Sequence, residues 1–505
     1  MAKPLLLALL ACLAVAGCSD APATSSAEPV EQLRTVAAVP RSDDPEIAAF
    51  YSERGGRSLW TDGSAADRLL AVLSDARSDG LDPGRYRVDE IAAALRQGDP
   101  QALARADLLL SEALVRYSAD LRTLLPAARP TYAEKGLAPV APAARALLDS
   151  AAAAPDRRTY ADNVRRLNPV YDGLREGLAA YRRRWSRLPQ LHLPERPHAD
   201  QLRRRLGLAA GGGLDRALVR ALAAFKRAHG LPETPGADSA TIAALNAGPG
   251  HYERLIRINM ERARALPRSQ GRSVLVDTAA ARLWMFEGDR TAGHMRVIVG
   301  KRGMETPALA GRIRYAVLNP YWNLPVDLAR QRAQWVLRRG TRVLAAERLQ
   351  ILSQFSADDR VLSPASVNWG RVAAGREPLR LRQLPGGGNV MGAVKFMLPN
   401  NLDIYLHDFP DKSLFGRADR RLSSGCVRLE DAQRLAAWLF GGAAPRPDGP
   451  RPEQRVDLPQ PVPVFITYLT AVPAGGEVAF QPDAYGRDAT LLAALDRAES
   501  GGVAA

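Results

Sequence analysis

Ile404-Tyr405-Leu406-His407-Asp408-Phe409-Pro410 and, after a polar loop, Ser423-Ser424-Gly425-Cys426-Val427-Arg428-Leu429 decide how this chain is read. Ile404 and Leu406 alternate with Tyr405 and His407, the period of a half-buried strand, which puts His407 at a strand end. Gly425 allows a tight backbone turn just before Cys426. Glu430 to Phe440, with Leu435, Trp438 and Leu439 apolar, reads as a helix. Cys426 follows His407 by 19 residues, enough loop to return the imidazole to the thiol.

A thiol with the ordinary pKa of about 8.5 is only partly ionised at neutral pH. A neighbouring imidazole either stabilises the thiolate or takes its proton as attack proceeds. Amides around Gly425 and Cys426 can face the oxygen of a tetrahedral intermediate, where losing one donor costs about 10²–10³ in rate. Together these groups point to acyl transfer.

Cysteine usage sharpens the point, because the chain holds three: Cys12, Cys18 and Cys426. Lys3 precedes an apolar run from Pro4 to Ala16, which is too short for a bilayer crossing of about 20 residues but fits an export signal. Val15-Ala16-Gly17-Cys18 resembles the lipobox of bacterial lipoproteins, which implies removal of residues 1–17 and acylation of Cys18. Cys12 leaves with the signal, so Cys426 is the one free thiol in a compartment where disulfides form. It is therefore either reactive or buried and inert.

Working outward, residues 18–44 are rich in Ala, Ser, Pro and acids and read as a tether. Residues 45–190 carry helical periodicity, for example Leu69, Leu70, Val72 and Leu73, and form a predicted helical scaffold. Residues 199–247 hold an amphipathic helix with Leu218, Leu222 and Phe225 on one face, then His229-Gly230-Leu231 and Thr241 to Asn246. That order resembles the small three-helix peptidoglycan-binding domain, which implies either wall binding or a spacer that orients its neighbour. From 252 to 470 short strand-like runs separated by turns predict a mainly antiparallel β domain, interrupted at about 323–384 by an Arg/Leu-rich segment read as a helical capping insertion. Residues 471–505 form a C-terminal extension. The expected class is multidomain α+β.

Lys and Arg number 69 against 54 Asp and Glu, a net charge of +15. That balance suits an anionic partner, although arginine and alanine richness also follows from genomic base composition. No basic cluster interleaves aromatics as a nucleic-acid reader needs. His192, His198, His229, His251 and His294 lack metal-ligand spacing, so no zinc site is expected.

Tyr405-Leu406-His407-Asp408 and Ser423 to Arg428 resemble the catalytic motif of the L,D-transpeptidases with a YkuD-type domain. Met295 to Lys301, Leu318 to Pro325 and Val394-Lys395-Phe396-Met397 extend the likeness. It is closest to the large subgroup typified by YcbB, which also has a scaffold, a peptidoglycan-binding module and a capping insertion. Smaller relatives carry histidine where Ser424 stands here, which leaves His407 as the base. The resemblance implies that Cys426 attacks the carbonyl of the third stem residue of a peptidoglycan tetrapeptide. D-alanine leaves, and a neighbouring stem's side-chain amine resolves the thioester into a 3→3 crosslink, with no metal or organic cofactor. Water as acceptor would instead make a carboxypeptidase or endopeptidase, and an inert Cys426 would leave a wall-binding lipoprotein. Tyr405, Trp322 and Asn323 either line the substrate pocket or sit in the core. Arg428 binds a substrate carboxylate or pairs with Glu430, and Ser423 and Ser424 orient substrate or cap the helix. The implied location is the periplasm, with Cys18 tethered to a membrane and the 199–247 module on the sacculus.

Overall fold

The computed structural model describes residues 38–501 apart from 62, 269–270 and 355–357. The export signal, Cys18 and the tether up to residue 37 lie outside the described residues.

Three N-terminal helices begin alike, with Asp or Asn followed by proline. Asp44, Asp99 and Asn168 cap Pro45–Glu53, Pro100–Asp120 and Pro169–Arg184 by accepting first-turn amides. The following proline has the right φ and lacks only an amide that the helix would leave unbonded. Leu109, Leu110, Leu114 and Tyr117 are buried along the second helix. Asp107 is buried beside them and is satisfied by the amides of Leu59, Trp60 and Thr61 and by the Tyr51 hydroxyl.

Residues 199–247 fold as Ala199–Arg205, Arg216–Ala228 and the first part of Ser239–Arg264, which breaks at Gly248 and Pro249. Their apolar residues make no separate core. Leu218, Leu222, Phe225, Ile242 and Leu245 join Tyr171, Leu174 and Tyr181 of Pro169–Arg184 and Ala471, Val478 and Phe480 in one cluster. His229 is buried within it, with Nδ1 2.7 Å from the Phe225 carbonyl and Nε2 3.0 Å from the Tyr181 hydroxyl. The segment after 470 thus folds back on the helices. Ala471–Ala474 pairs with Glu477–Phe480, and the Asp488–Gly501 helix places Asp496 2.5 Å from Arg254.

The β-rich region is a closed sheet. Its strands are β1 (Arg272–Asp277), β2 (Arg282–Glu287), β3 (Arg290–Gly300), β4 (Leu309–Leu318), β5 (Val394–Met397), β6 (Leu406–Asp408), β7 (Val427–Leu429) and β8 (Gln454–Thr467). They run in the order β4-β5-β6-β7-β3-β2-β1-β8, and β8 also bonds to β4, so that no barrel edge remains open. Among these eight, β6–β7 and β1–β8 pair in parallel, and two further short strands, Thr131–Tyr132 and Arg421–Ser423, add in parallel to β4 and β3. Every second residue faces inward: Val274 and Val276, Leu283 and Met285, Val394 and Phe396, Val427 and Leu429, Val464 and Ile466.

The insertion differs from expectation. Trp322–Asn323, Arg380–Gln383, Leu349–Leu352 and Val361–Leu362 form a four-stranded antiparallel sheet. The Val326–Arg339 helix joins its core through Ala329, Ala333 and Val336, beside Leu324, Ile351 and Leu381. A helical insertion is thus corrected to a small α/β layer. Strands of two to four residues, such as Arg380-Leu381-Arg382-Gln383, are too short to reveal a period of two.

Candidate active site

β6 and β7 create the site. Their parallel register pairs Leu406 with Val427 and His407 with Arg428. Leu406, Val427 and Leu429 are in the barrel core, so the alternation turns Tyr405, His407, Cys426 and Arg428 to the outer face. The imidazole and the thiol therefore sit diagonally across neighbouring strands on one face. That face is covered in part by the insertion, since Tyr405 packs against both the barrel core and the insertion core.

Gly425 makes the turn possible, with φ of +119°, a conformation that L side chains rarely adopt. Ser423 is only 2% exposed, and its hydroxyl receives the Gly425 amide at 3.2 Å and donates to the Cys426 carbonyl at 2.6 Å. Ser423 is thus a brace of the turn and not a substrate contact. The Gly425 amide is engaged as well, so Gly425 supplies the bend and not an oxyanion donor. Among the described residues the Cys426 amide has no acceptor within the protein. Ser424 is exposed beside it.

His407 is 1% exposed, and its Nδ1 lies 2.6 Å from the Asp408 carbonyl. That contact assigns the proton to Nδ1 and leaves Nε2 as an acceptor. Burial first, and the Arg428 charge second, hold the ring neutral by lowering its pKa to about 3. Cys426 is half-buried, with Sγ 3.6 Å from the Asp403 carbonyl. Burial pushes the thiol up, while the Tyr405 amide and hydroxyl and the Arg428 charge oppose it. Tyr405 itself is raised by burial and by the facing sulfur, so it stays protonated as a donor. The resting pair is accordingly neutral thiol and neutral imidazole, and no hydrogen bond joins them. Of the two routes open to the thiol, proton transfer during attack fits this electrostatics.

Arg428 stands over the Phe409 ring at 4.3 Å, and its Nε has no hydrogen-bond partner. Glu430 is bound instead by Arg296, with Nε 2.9 Å from the carboxylate. Arg428 thus remains a cation without a carboxylate partner among the described residues. Trp322 is 8% exposed in the insertion core, and so is packing and not pocket lining. Asn323 is exposed on the insertion strand, paired with Arg382. A cavity of about 280 Å³ between residues 127–130, the barrel and residues 486–490 contains neither Cys426 nor His407. Among the described residues no group of His, Cys, Asp and Glu is arranged to hold a metal ion.

Residues 271–456, which include every residue of this face, match the model of the YkuD L,D-transpeptidase catalytic domain. This region is a YkuD-type L,D-transpeptidase catalytic domain. Residues 45–178 match a model described as a scaffold domain. A Haemophilus influenzae protein provisionally assigned as an L,D-transpeptidase is 30% identical over 239 residues, covering 46% of this chain and 48% of that one. The chain thus spans about half the length of the curated relative it matches. An L,D-transpeptidase structure from Xylanimonas cellulosilytica, 14% identical, covers 55% of this chain and 98% of its own with a TM-score of 0.17, too low to bear on the fold. Sequence reasoning passed over three groups near this face: Asp403, whose carbonyl meets the thiol, and Thr306 and Tyr485, whose contacts span 119 and 185 residues.

Proposed function

We propose that the chain is an L,D-transpeptidase forming 3→3 crosslinks between peptidoglycan stem peptides. What supports this most is a half-buried thiol, the one cysteine among the described residues, and a buried, neutral imidazole on one face of a matched catalytic domain. Cys426 Sγ attacks the carbonyl of the third stem residue as His407 Nε2 takes the thiol proton. The Cys426 amide faces the developing oxyanion. Collapse expels D-alanine, whose amine takes the proton from His407, and leaves a thioester. The side-chain amine of a diamino acid on a neighbouring stem then attacks, forming the crosslink and restoring the thiol. Arg428, lacking a carboxylate partner of its own, fits a substrate carboxylate.

The 199–247 helices are proposed to engage the sacculus or to orient the catalytic domain toward it. Residues 1–18 support a periplasmic lipoprotein tethered through Cys18. Among the described residues no helix is long and apolar enough to cross a membrane.

The test is the product set from purified tetrapeptide muropeptides, using a soluble form with Cys426 or with Cys426→Ala. Crosslinked dimers and D-alanine are expected only with Cys426. Tripeptides without dimers would move the assignment to a hydrolase, and identical products from both forms would defeat it.

A further inference from the structure

We infer that Thr306 is a positioning residue for the nucleophile turn, and that the segment 483–488, beyond the matched catalytic domain, braces it. This rests on Cys426 being the nucleophile. Thr306 is fully buried, and its hydroxyl receives the Gly300 amide at 2.9 Å and donates to the Gly425 carbonyl at 2.7 Å. One hydroxyl thereby ties the end of β3 to the residue preceding Cys426. The 300–306 loop turns back closely on itself, since a Cβ on Gly300 would lie 2.1 Å from the Met304 carbonyl. Its Lys301 amide also bonds the Ser423 carbonyl at 2.9 Å. The turn is therefore gripped at Ser423 by backbone and at Gly425 by the threonine.

The loop is held from behind by the C-terminal segment. The Tyr485 hydroxyl donates to the Gly300 carbonyl at 2.5 Å, and Arg487 donates to the Thr306 carbonyl at 3.1 Å. That segment is itself rigid. Asp483 accepts the Arg487 and Asp488 amides and the Tyr468 hydroxyl, and Asp488 pairs with buried Arg262 at 2.7 Å. The chain of contacts runs from the long helix at Arg262, through residues 483–488 and Thr306, to the turn bearing Cys426. A catalytic sulfur displaced by a fraction of an ångström loses alignment with the carbonyl it attacks. Thr306 supplies that alignment without touching substrate.

The experiment compares Thr306→Val, Thr306→Ser, Tyr485→Phe and Arg487→Ala in the full soluble chain. The readouts are kcat and KM for D-alanine release and the pH midpoint of Cys426 alkylation by iodoacetamide. T306V should lower kcat about tenfold or more with KM little changed, and T306S should restore it. Loosening the turn exposes the sulfur, so the alkylation midpoint should fall in T306V toward the ordinary thiol value of about 8.5. Y485F and R487A should shift it the same way by less, and they decide the matter if T306V does not fold. Wild-type kcat and midpoint in folded T306V, or in both Y485F and R487A, would overturn the inference, as would a loss in T306S equal to that in T306V. Alkylation reads the thiol directly. A wild type that alkylates at Cys426 yet releases no D-alanine would fail the transpeptidase assignment and leave the positioning test standing.

Discussion

Two buried histidines, one among the helices and one in the barrel, show what separates packing from chemistry. His229 and His407 are 5% and 1% exposed, burial lowers both, to about 4 and about 3, and each Nδ1 lies close to a backbone carbonyl. The difference is at Nε2. In His229 it meets the Tyr181 hydroxyl at 3.0 Å, and the ring stacks on Phe225 with centroids 3.9 Å apart. At His407 Nε2 no hydrogen-bond partner is found among the described residues, and the ring shares a face with the thiol. A buried neutral imidazole with both nitrogens engaged is a fastener, whereas one with a free nitrogen is a base in waiting.

The largest effect that sharpens this contrast is loss of the base. His407→Gln should lower kcat for D-alanine release by about 10²–10⁴-fold with the chain still folded, whereas His229→Ala should leave kcat nearly unchanged below its melting temperature. The next effect is on stability. H229A should lower the unfolding free energy by about 2–4 kcal/mol, since it opens an aromatic cluster and unpairs the Tyr181 hydroxyl. Denaturant titration reads this. A stable H229A with lost activity would break the comparison.

The smallest effect is pH dependence. Both rings are neutral in the folded chain far below the unfolded pKa of about 6.5, so the unfolded state binds more protons in that window. Stability should therefore be fully present above about pH 6.5 and fall as pH drops, by up to about 1.4 kcal/mol per pH unit for each ring. H229A should remove one ring's share of that slope. The same depression predicts that the activity lacks an acid limb near pH 6.5 from His407. An inflection there, absent from H407Q, would contradict the buried neutral base.

The chemistry was legible because it sits in contiguous residues: Cys426 after a glycine, and His407 on an alternating strand. Faces and braces were not. Ser423 and Trp322 point inward, but strands of two or three residues carry too little alternation to show it. β5 and β7, of four and three residues, escaped notice as strands because they too are short, although both flank β6. Thr306 and Tyr485 act through single hydrogen bonds to residues remote in sequence, and periodicity holds no trace of such contacts. Among the helices, apolar stripes predicted the elements, while the merging of the 199–247 helices with the scaffold depended on Phe480 and Val478 returning from the far end of the chain.

The most direct test is intact-mass and peptide-mapping detection of the thioester formed from a tetrapeptide donor, in wild type and in H407Q. Wild type should carry the acyl group on Cys426. H407Q should not accumulate it on the same timescale, although its thiol still alkylates. Equal acylation of the two proteins, or an acyl group on any other residue, would contradict a neutral His407 that takes the Cys426 proton.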